Sequence, residues 1–328
     1  MQAIAIMKRG DGVAELARIE LDIPVIVDSH QVLIRVAYAS LNPVDYKLIA
    51  NQPAFWTYPY IPGLDLAGEV VAIGTNVTTV EIGDRVGLHA NLQFGGALAE
   101  YTLQPEHALF KIPLGFDLRL AAALPCAGLT AYQALVRKMN IRLGKTIFIQ
   151  AGSGGVGSFA IIIAKALGLK VLSSCSVRNF EYVTSLGADE VCDYTNGDIY
   201  TQIKQLYPNG VDYILEATNK VNLQRDLEIL AFNGQIASIV GVLDTQDISE
   251  FSTGLGFHEV ALGGAYLAKH FPTQCDLAQM GRELLELLAL SGVAPQLNEY
   301  DFAEYTEAFN ALQGTVNPGK IILKINNG

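Results

Sequence analysis

One short segment constrains the fold of this chain more than any other, because it joins a buried strand to a helix through glycines. Thr146–Ile149 is a run of β-branched and aromatic residues, and apolar residues recur at helical spacing beyond the glycines. Between them, Gly152-Ser153-Gly154-Gly155-Val156-Gly157 contains the pattern G-x-G-x-x-G. Its glycines permit a tight turn, a close approach of backbone to a pyrophosphate, and close packing of helix on strand, in that order. We predict a dinucleotide phosphate site at the helix N-terminus, with a purely structural turn as the alternative.

The rest of the chain shows two patterns. Up to about residue 120, short β-rich runs alternate with turns rich in Pro, Gly, Asn and Asp, which predicts an all-β module. From about residue 121, helical and strand patterns alternate, which predicts a parallel sheet covered on both faces. A length of 328 residues also exceeds the size at which one core keeps growing, so two domains are expected.

The predicted elements follow from these patterns. Gly168 and Gly187 are expected to end the first two crossover helices. The expected strands lie at 32–38, 68–74, 84–88, 146–149, 170–174, 190–194, 211–216, 234–240, 257–265 and 320–325, and further helices at 121–139, 277–290 and 302–312.

Composition excludes some classes of partner. The formal charge of −11 argues against nucleic acid, which requires a basic face. No apolar run approaches the length of a membrane span, and the N-terminal residues do not form a signal peptide. The cysteines lie far apart and form no C-x-x-C pair, which favours a reduced, cytoplasmic protein. They are Cys126, Cys175, Cys192 and Cys275.

The order of sequence blocks resembles the medium-chain dehydrogenase/reductase superfamily, and within it the zinc-independent quinone oxidoreductase and alkenal/enone reductase branch. The resemblance extends over nearly the whole chain. The matching blocks are Pro62-Gly63-Leu64-Asp65-Leu66-Ala67-Gly68-Glu69-Val70, Gly83-Asp84-Arg85-Val86, Gly95-Gly96-Ala97-Leu98-Ala99-Glu100-Tyr101, Leu129-Thr130-Ala131-Tyr132 and the glycine turn with Ala151.

The resemblance implies an α/β fold with two domains and an active site between them. A GroES-like, β-rich catalytic domain is expected to comprise residues 1–120 and 267–328. A Rossmann domain with a doubly wound parallel sheet, binding NADPH, is expected at 121–266. In this family the last strand of that sheet commonly joins two protomers, so residues 257–266 are expected to form the edge of a homodimer.

Zinc-dependent relatives hold a catalytic metal with three ligands that converge on one point. Where they have a cysteine, this chain has Asn42, and where they have a histidine beside an acid, it has Leu64 beside Asp65. Cys126 lies near the third ligand position, but one thiol does not hold a catalytic zinc, and the cysteine cluster of a structural zinc lobe is absent. The five histidines show no ligand spacing and are expected to be surface or hydrogen-bonded residues. We predict no metal, and we interpret Cys126 as a small buried residue.

Without a metal, side-chain donors must polarise a carbonyl. Asn42-Pro43-Val44-Asp45-Tyr46-Lys47 resembles the Asn-Pro-x-Asp-Tyr-Lys block of alkenal and enone reductases, in which the Asn, Tyr and Lys line the nicotinamide side of the cleft. This implies a catalytic group of Lys47, Tyr46 and Asn42, with Lys47 as oxyanion stabiliser or proton donor. From the residues alone, a helix cap at Asn42 and Asp45 is an equal alternative.

Aromatic residues follow this block directly. They are expected either to wall a pocket for a flat, apolar substrate or to belong to the core. They are Phe55, Trp56, Tyr58 and Tyr60.

The second Rossmann strand suggests which cofactor is used. It runs from residue 170 into Cys175 without the acid that NAD-specific domains place against the ribose 2′-hydroxyl. Ser176 and Arg178 offer a hydroxyl and a planar guanidinium fork for a 2′-phosphate, and the family often adds a phenol where Tyr194 lies. The resemblance also assigns cofactor contacts to Asn42, Thr130, Gly152, Ser153, Gly154, Gly155, Val156, Gly157, Val240, Gly241, Asn317, Gly319 and Lys320.

These expectations converge on a metal-free, NADPH-dependent reductase of quinones or α,β-unsaturated carbonyl compounds. A small-molecule quinone or enone is the expected substrate. Two alternatives stay open: an enoyl-thioester reductase, and an NADPH-binding redox sensor or structural protein without turnover. The presence of Lys47 argues against the last.

Overall fold

A computed structural model describes residues 1–91, 93–246, 248–314 and 318–326 of the chain. The chain folds into two compact units. Unit 1 comprises Met1–Leu129, Gly263–Glu286 and Gln296–Gly328, and unit 2 comprises Thr130–Leu262 and Leu287–Pro295. The domain boundaries expected at residues 120 and 266 stay predictions.

The strands follow in chain order along both units. They are β1 (Gln2–Ala5), β2 (Ala17–Glu20), β3 (Gln31–Leu41), β4 (Asp65–Ile73), β5 (Arg85–His89), β6 (Tyr101–Pro105), β7 (Phe110–Lys111), β8 (Thr146–Ile149), β9 (Lys170–Cys175), β10 (Glu190–Asp193), β11 (Val211–Glu216), β12 (Leu230–Ser238), β13 (Gly256–Glu259), β14 (Leu297–Asp301) and β15 (Lys320–Lys324).

The helices are distributed in the same way. They are α1 (Pro43–Asn51), α2 (Leu118–Ala123), α3 (Pro125–Tyr132), a π-helix (Gln133–Lys138), α4 (Gly155–Ala166), α5 (Phe180–Ser185), α6 (Ile199–Leu206), α7 (Lys220–Arg225), α8 (Gly264–Leu267), α9 (Phe271–Ser291) and α10 (Tyr305–Gln313). Within the described ranges, no helix combines the length and the apolar character needed to cross a bilayer.

Unit 1 is built on a seven-stranded sheet that is mostly antiparallel. Its order is β14-β15-β3-β4-β5-β7, with β6 paired to β3. The C-terminal strand β15 therefore pairs antiparallel with β3, so that Ile321 lies opposite Leu41. This register brings the end of the chain next to the residues that begin α1.

Unit 2 contains a six-stranded parallel sheet with the order β10-β9-β8-β11-β12-β13. In chain order this is 3-2-1-4-5-6, the arrangement of a Rossmann sheet. The strand order reverses between the neighbours β8 and β11. The chain continues from β8 to β9 on one side of this point and from β11 to β12 on the other. The predicted fold class, a GroES-like β-rich domain with a doubly wound parallel sheet, is confirmed.

Most predicted elements agree with the structure to within a few residues. Gly168 follows α4 and Gly187 follows α5, as expected, and both have positive φ, 77° and 113° respectively. Two predictions were wrong. The strand expected at 257–265 ends at Glu259, because Gly264–Leu267 turns into α8, whose Tyr266 hydroxyl donates to the carbonyl of His89. The single helix expected at 121–139 is divided at Pro125, whose ring prevents regular helical hydrogen bonding, and continues into the π-helix.

Each unit has its own apolar core. In unit 1 it includes Ile34, Leu66 and Phe309, and in unit 2 it includes Phe148 and Ile214, all of them fully buried. Burying a side chain of this size contributes about 1.5–3 kcal/mol. The sheets are therefore fixed by ordinary apolar packing, and polar groups inside them require a separate explanation.

Candidate active site

The glycine turn leaves β8 through a strained residue. Ala151 has φ 53°, in the left-handed region that L-residues rarely adopt. A Cβ on Gly152 would lie 2.0 Å from Ser173 Oγ on the neighbouring strand β9, so no larger residue fits without displacement. The turn is therefore pressed against the sheet.

The other two glycines of the pattern have different surroundings. A Cβ on Gly157 would lie 2.3 Å from the carbonyl oxygen of Ala151, so this position packs helix against strand. A Cβ on Gly154, the N-cap of α4, would meet nothing closer than 3.4 Å. The space in front of Gly154 is therefore open to a ligand, and the N-terminal N–H groups of α4 point toward it.

A cavity of about 460 Å³ lies at the carboxyl ends of the parallel strands of unit 2. Ala151 lines it after β8, Ser174 at the end of β9, Tyr194 after β10 and Thr218 after β11. Ligands of open parallel sheets bind at this edge, at the point where strand order reverses. The cavity therefore has the location and size of a nucleotide pocket.

Two buried carboxyl groups lie behind this cavity, and sequence reasoning did not single them out. Glu216 Oε1 accepts hydrogen bonds from the Thr218 hydroxyl at 2.6 Å and the Asn219 N–H at 3.0 Å, and Gln150 Nε2 donates to Asp226 Oδ1 at 2.8 Å. Burial raises the pKa of both carboxyls, and repulsion from Glu216 raises the pKa of Asp226 further. The hydrogen-bond donors around Glu216 oppose the rise in its pKa by favouring its charged form.

The predicted 2′-phosphate group lies after β9 and β10. Ser176 Oγ is buried and has no hydrogen-bond partner in the part of the chain that the structure describes. Arg178 is exposed in the short helical turn that follows it, and Tyr194 is 56% exposed. A buried hydroxyl without a partner is unfavourable, and the described residues of the protein itself provide none for Ser176 Oγ.

The remaining predicted cofactor residues of unit 2 lie on its loops and helix starts. Ser153 Oγ accepts a hydrogen bond from Asn179 Nδ2 at 3.1 Å, and Gly155 and Val156 open α4. Thr130 is buried. Val240 and Gly241 follow β12, and Gly241 has φ 147°.

In unit 1, Asn42 directly follows β3 and occupies the N-cap position of α1, but its side chain makes no capping hydrogen bond. The capping alternative therefore holds for Asp45 and not for the side chain of Asn42. The Asn42 N–H donates to Asp45 Oδ2 at 2.6 Å, and Pro43 occupies the first helical position. Its side chain is nevertheless not turned toward the helix, because Nδ2 donates to Asp65 Oδ2 at 2.8 Å. Asn42 is 3% exposed, and its side-chain amide belongs to a buried polar cluster. Its backbone N–H, not its side chain, interacts with the first turn of α1.

Lys320 completes this cluster from β15. Its Nζ donates to Asn42 Oδ1 at 2.5 Å and to the carbonyl of Leu41 at 3.2 Å, and lies 3.5 Å from Asp65 Oδ2. The resemblance assigned Lys320 to the cofactor, but its ammonium already makes two hydrogen bonds and an ion pair within the protein. A direct cofactor contact by Lys320 stays a prediction that this arrangement does not support.

The electrostatics of the cluster depend on burial. Burial raises the pKa of Asp45 to about 7 and that of Asp65 to about 6, while the positive charge of Lys320 opposes both shifts. Cys126 donates its backbone N–H to Asp65 Oδ1 at 2.7 Å, and burial raises the pKa of its thiol. Cys126 was interpreted as a small buried residue, but the structure leaves it partly exposed, while the raised pKa of its thiol lowers its reactivity.

The other predicted catalytic residues lie on α1. Lys47 is exposed and Tyr46 is partly buried on this helix. Gly319, at φ 82°, precedes β15, and a Cβ there would lie 2.0 Å from the carbonyl oxygen of Gln296. Asn317 lies outside the described residues.

The aromatic residues after α1 divide between core and surface. Trp56 and Tyr60 belong to the core of unit 1 and stack with ring centroids 3.9 Å apart. Phe55 is 43% exposed, and the Tyr58 hydroxyl donates to Gln52 Oε1 at 3.1 Å. For Trp56 and Tyr60, the core alternative is the one the structure favours.

The histidines agree with expectation at four of five positions. His89 differs: it is buried on β5, its Nδ1 has no hydrogen-bond partner among the described residues, and burial lowers its pKa to about 4. The others pair with neighbours, namely His30 with Glu106, His107 with Gln274, His258 with Gln235, and His270 with Thr273. Across the described ranges, no three His, Cys, Asp or Glu side chains are grouped so that they could hold a metal ion.

Comparisons with known proteins agree with this architecture. A family model described as alcohol dehydrogenase GroES-like domain matches residues 28–114, and one described as zinc-binding dehydrogenase matches residues 155–286. The chain is 30% identical over 334 residues to the quinone oxidoreductase of Pongo abelii, covering 98% of this chain and 97% of that one. It is 40% identical over 190 residues to the trans-enoyl reductase pgmF of Aspergillus terreus, covering 54% of this chain and 52% of that one.

A solved structure shows the same fold over the full length. The alcohol dehydrogenase superfamily protein of Novosphingobium aromaticivorans matches with a TM-score of 0.89 and 26% identity, covering 99% of this chain and 100% of that one. The chain therefore belongs to the medium-chain dehydrogenase/reductase superfamily. Within it, the chain belongs to the quinone oxidoreductase branch, and it is an oxidoreductase of the kind that uses a nicotinamide dinucleotide.

Gly154, which faces open space, and Gly157, which is packed against the turn, give a pair of contrasting predictions. Gly157→Ala is expected to destabilise unit 2 by about 1–3 kcal/mol, because its Cβ would overlap the turn. Gly154→Ala is expected to change stability by less than about 0.5 kcal/mol. It should nevertheless weaken dinucleotide binding by about tenfold or more, if backbone contacts the pyrophosphate at this position. Thermal unfolding and a fluorescence titration with NADPH measure both effects, and equal stability of the two variants would contradict the account.

Asp45 generates a prediction about pH. Its folded pKa of about 7 lies above its ordinary value of 3.8, so the folded protein keeps a proton that the unfolded chain loses. This carboxyl's contribution to stability is therefore present at low pH and is lost as the pH rises from about 4 to 7. Asp45→Asn, whose amide oxygen can still accept the Asn42 N–H, should reduce that decline. Urea unfolding at several pH values measures it, with the exposed Asp22→Asn as control, and parallel pH profiles of Asp45→Asn and the wild type would refute it.

Proposed function

We propose that the protein is a metal-free, NADPH-dependent reductase of quinones or α,β-unsaturated carbonyl compounds. The observation that carries the proposal is the geometry around α1. There a capped helix start presents Tyr46 and Lys47, while Asn42 at its N-cap is held by buried polar partners. No grouping of metal ligands accompanies them among the described residues, and we propose that side-chain donors meet the charge on a substrate oxygen.

The cofactor would be held mainly by unit 2. The open space before Gly154 and the partnerless hydroxyl of Ser176 fit a pyrophosphate and a ribose phosphate. Gly152, Ser153, Gly155 and Val156 would contribute the turn and the helix N–H groups. Thr130, Val240, Gly241 and Gly319 are proposed to contact the nicotinamide half. When bound, NADPH supplies a hydride to the β-carbon of an enone or the equivalent ring position of a quinone.

The residues of α1 are proposed to manage the charge that then develops on the carbonyl oxygen. Lys47 is a cation and Tyr46 a hydroxyl donor, one helical position apart, and either can stabilise an oxyanion or return a proton. Asn42 is proposed to orient the nicotinamide ribose. Its fixed position at the start of α1 makes it suitable, since a positioning contact requires a rigid side chain.

The choice of NADPH over NADH rests on charge. β9 ends at Cys175 without an acid of its own, although Asp193 at the end of β10 lies in register beside Cys175, and Ser176, Arg178 and Tyr194 follow at the ends of β9 and β10. A guanidinium matches phosphate in both charge and shape. These features support NADPH.

A second candidate is an enoyl-thioester reductase. The likeness to a trans-enoyl reductase, 40% over 190 residues, favours it. The chemistry is the same hydride addition to a conjugated carbonyl, so the two candidates differ in the substrate that enters. An NADPH-binding protein without turnover is the outcome if neither substrate class reacts.

An assay of NADPH oxidation separates these candidates. We expect turnover with a quinone or a simple enone, and unchanged turnover after dialysis against a chelator. Lys47→Met should lower kcat by about tenfold or more, because a charged hydrogen-bond donor to the oxyanion is lost. Turnover with enoyl thioesters alone would favour the second candidate, and loss of activity together with about one bound zinc per chain would contradict the metal-free proposal.

Arg178 provides the test of cofactor choice. If its contact with a 2′-phosphate is worth about 1.5–3 kcal/mol, Arg178→Ala should weaken NADPH binding by about ten- to a hundredfold. NADH binding should be nearly unchanged, because NADH lacks the phosphate. Dissociation constants for both cofactors measure this, with the exposed Arg142→Ala as control. Equal losses for NADPH and NADH, or a wild-type preference for NADH, would overturn the assignment.

We also propose a homodimer in the cytoplasm. β13 ends the six-stranded sheet, and such an edge can pair with a second copy of itself. All four cysteines are free, which suits a reducing compartment. Light scattering at micromolar concentration and cell fractionation test the two statements, and a monomer or a secreted protein would contradict them.

A further inference from the structure

The ammonium of Lys320 is buried deep inside unit 1, at 3% exposure, although it lies on a strand near the chain end. Its Nζ donates to the Leu41 carbonyl and to Asn42 Oδ1, and Asp65 Oδ2 lies 3.5 Å away as an ion-pair partner. Asp65 itself is completely buried. A buried lysine is costly unless it is paired and hydrogen-bonded, so its position calls for a role beyond sheet packing.

The chemistry of these partners permits one orientation of the Asn42 amide. Lys320 has donors and no acceptor, so it can bind Oδ1 and not Nδ2. Ionised Asp65 has acceptors and no donor, so it can bind Nδ2 and not Oδ1. A rotation of the amide by half a turn would place donor against donor and acceptor against acceptor. The orientation of the amide therefore follows from the chemistry of the groups on either side of it.

We propose that Lys320 and Asp65 are positioning residues that lock the Asn42 amide, so that Asn42 offers a bound molecule an acceptor oxygen and no donor. The proposal rests on the proposed function insofar as the bound molecule is a nicotinamide dinucleotide. The second Nδ2 hydrogen points toward the Ser40 carbonyl at 3.5 Å, and Oδ1, which accepts from Lys320, has one further lone pair. A partner of that lone pair must be a donor, and among the donors of a nicotinamide dinucleotide we assign a ribose hydroxyl rather than the carboxamide or the adenine amino group.

The surrounding groups are consistent with a fixed amide. Asp45 accepts the Asn42 N–H, and the Cys126 N–H donates to the other oxygen of Asp65. Both contacts hold the backbone and the carboxylate that flank the amide. Lys320 is the group that differs chemically from all of them, since it is the cation that allows Asp65 to stay ionised in the interior.

Two variants separate the lock from a merely structural role. Lys320→Met keeps the length of the side chain and removes the donor, but it also leaves Asp65 as an uncompensated buried charge. The double variant Lys320→Met with Asp65→Asn removes that charge. In it, Asn42 can pair with the new amide in either orientation, so the protein should regain stability without regaining the lock. Lys324→Met, on the same strand, is the matched control.

The first readout is the hydrogen-exchange rate of the Asn42 side-chain amide in the cofactor-free protein, measured by ¹H–¹⁵N NMR. Its signal is identified as the one that disappears in Asn42→Ser. We expect its hydrogen exchange to be about tenfold or more faster in Lys320→Met and in the double variant than in the wild type. The Lys324→Met control should exchange like the wild type. The second readout is the NADPH dissociation constant, expected to rise about ten- to a hundredfold in the double variant although its melting temperature returns toward that of the wild type.

The outcomes are distinguishable. Wild-type exchange of the Asn42 amide in the double variant would overturn the lock, as would recovery of NADPH binding in step with stability. If the wild type oxidises NADPH with neither quinone, enone nor enoyl thioester while the amide exchange responds as expected, the proposed reductase function fails and the lock stands.

Discussion

The return of the C-terminal strand is the constraint on which unit 1 depends. β15 pairs with β3 and places the Lys320 ammonium among the groups that begin α1 and β4. Two carboxyl groups, Asp45 and Asp65, are buried there, and removing one partner of a buried ion pair such as Lys320–Asp65 typically costs about 3–5 kcal/mol. Lys320 of β15 thus stabilises the buried carboxyl of Asp65, which lies far away in the sequence. The same contacts hold Asn42 at the N-terminus of α1.

The two units handle buried acids in different ways. In unit 1 a lysine compensates Asp65, whereas in unit 2 burial and the neighbouring Glu216 raise the pKa of Asp226, and Glu216 accepts hydrogen bonds from Thr218 and Asn219. Both arrangements lie next to proposed binding positions, and each fixes side chains whose orientation would otherwise be free. Gln150, directly after β8, donates a hydrogen bond to Asp226 and lines the cavity. Buried polar groups here serve placement more than net stability.

Sequence analysis predicted the parts of the molecule that depend on local patterns. The strand-turn-helix at Gly152 was predictable because a β-branched run, three glycines and a helical period lie within a short stretch, and the doubly wound sheet followed from repetition of that alternation. The strand expected at 257–265 was too long, since an apolar run containing glycines does not distinguish a strand from a turn into a short helix. The π-helix at Gln133–Lys138 left no sequence signal.

The polar cluster of unit 1 could not be predicted in the same way. Asn42 and Lys320 are 278 residues apart, and both have ordinary surface alternatives when considered separately. Asp65 stands in an apolar run, which was the one available signal that a buried acid would need partners. Long-range pairing of β15 with β3 determines the cluster, and no pattern within either segment contains that information.

The central claim is that Asn42 is held in one orientation and presents its oxygen to the nicotinamide half of the cofactor. A crystal structure of the NADPH complex at a resolution that distinguishes hydrogen-bond partners tests it most directly. The account predicts that Asn42 Oδ1 accepts a hydrogen bond from a ribose hydroxyl while Lys320 Nζ keeps its contacts with Leu41, Asn42 and Asp65. A Lys320 side chain that leaves this cluster to bind the cofactor, or an Asn42 amide that turns its nitrogen toward it, would contradict the account.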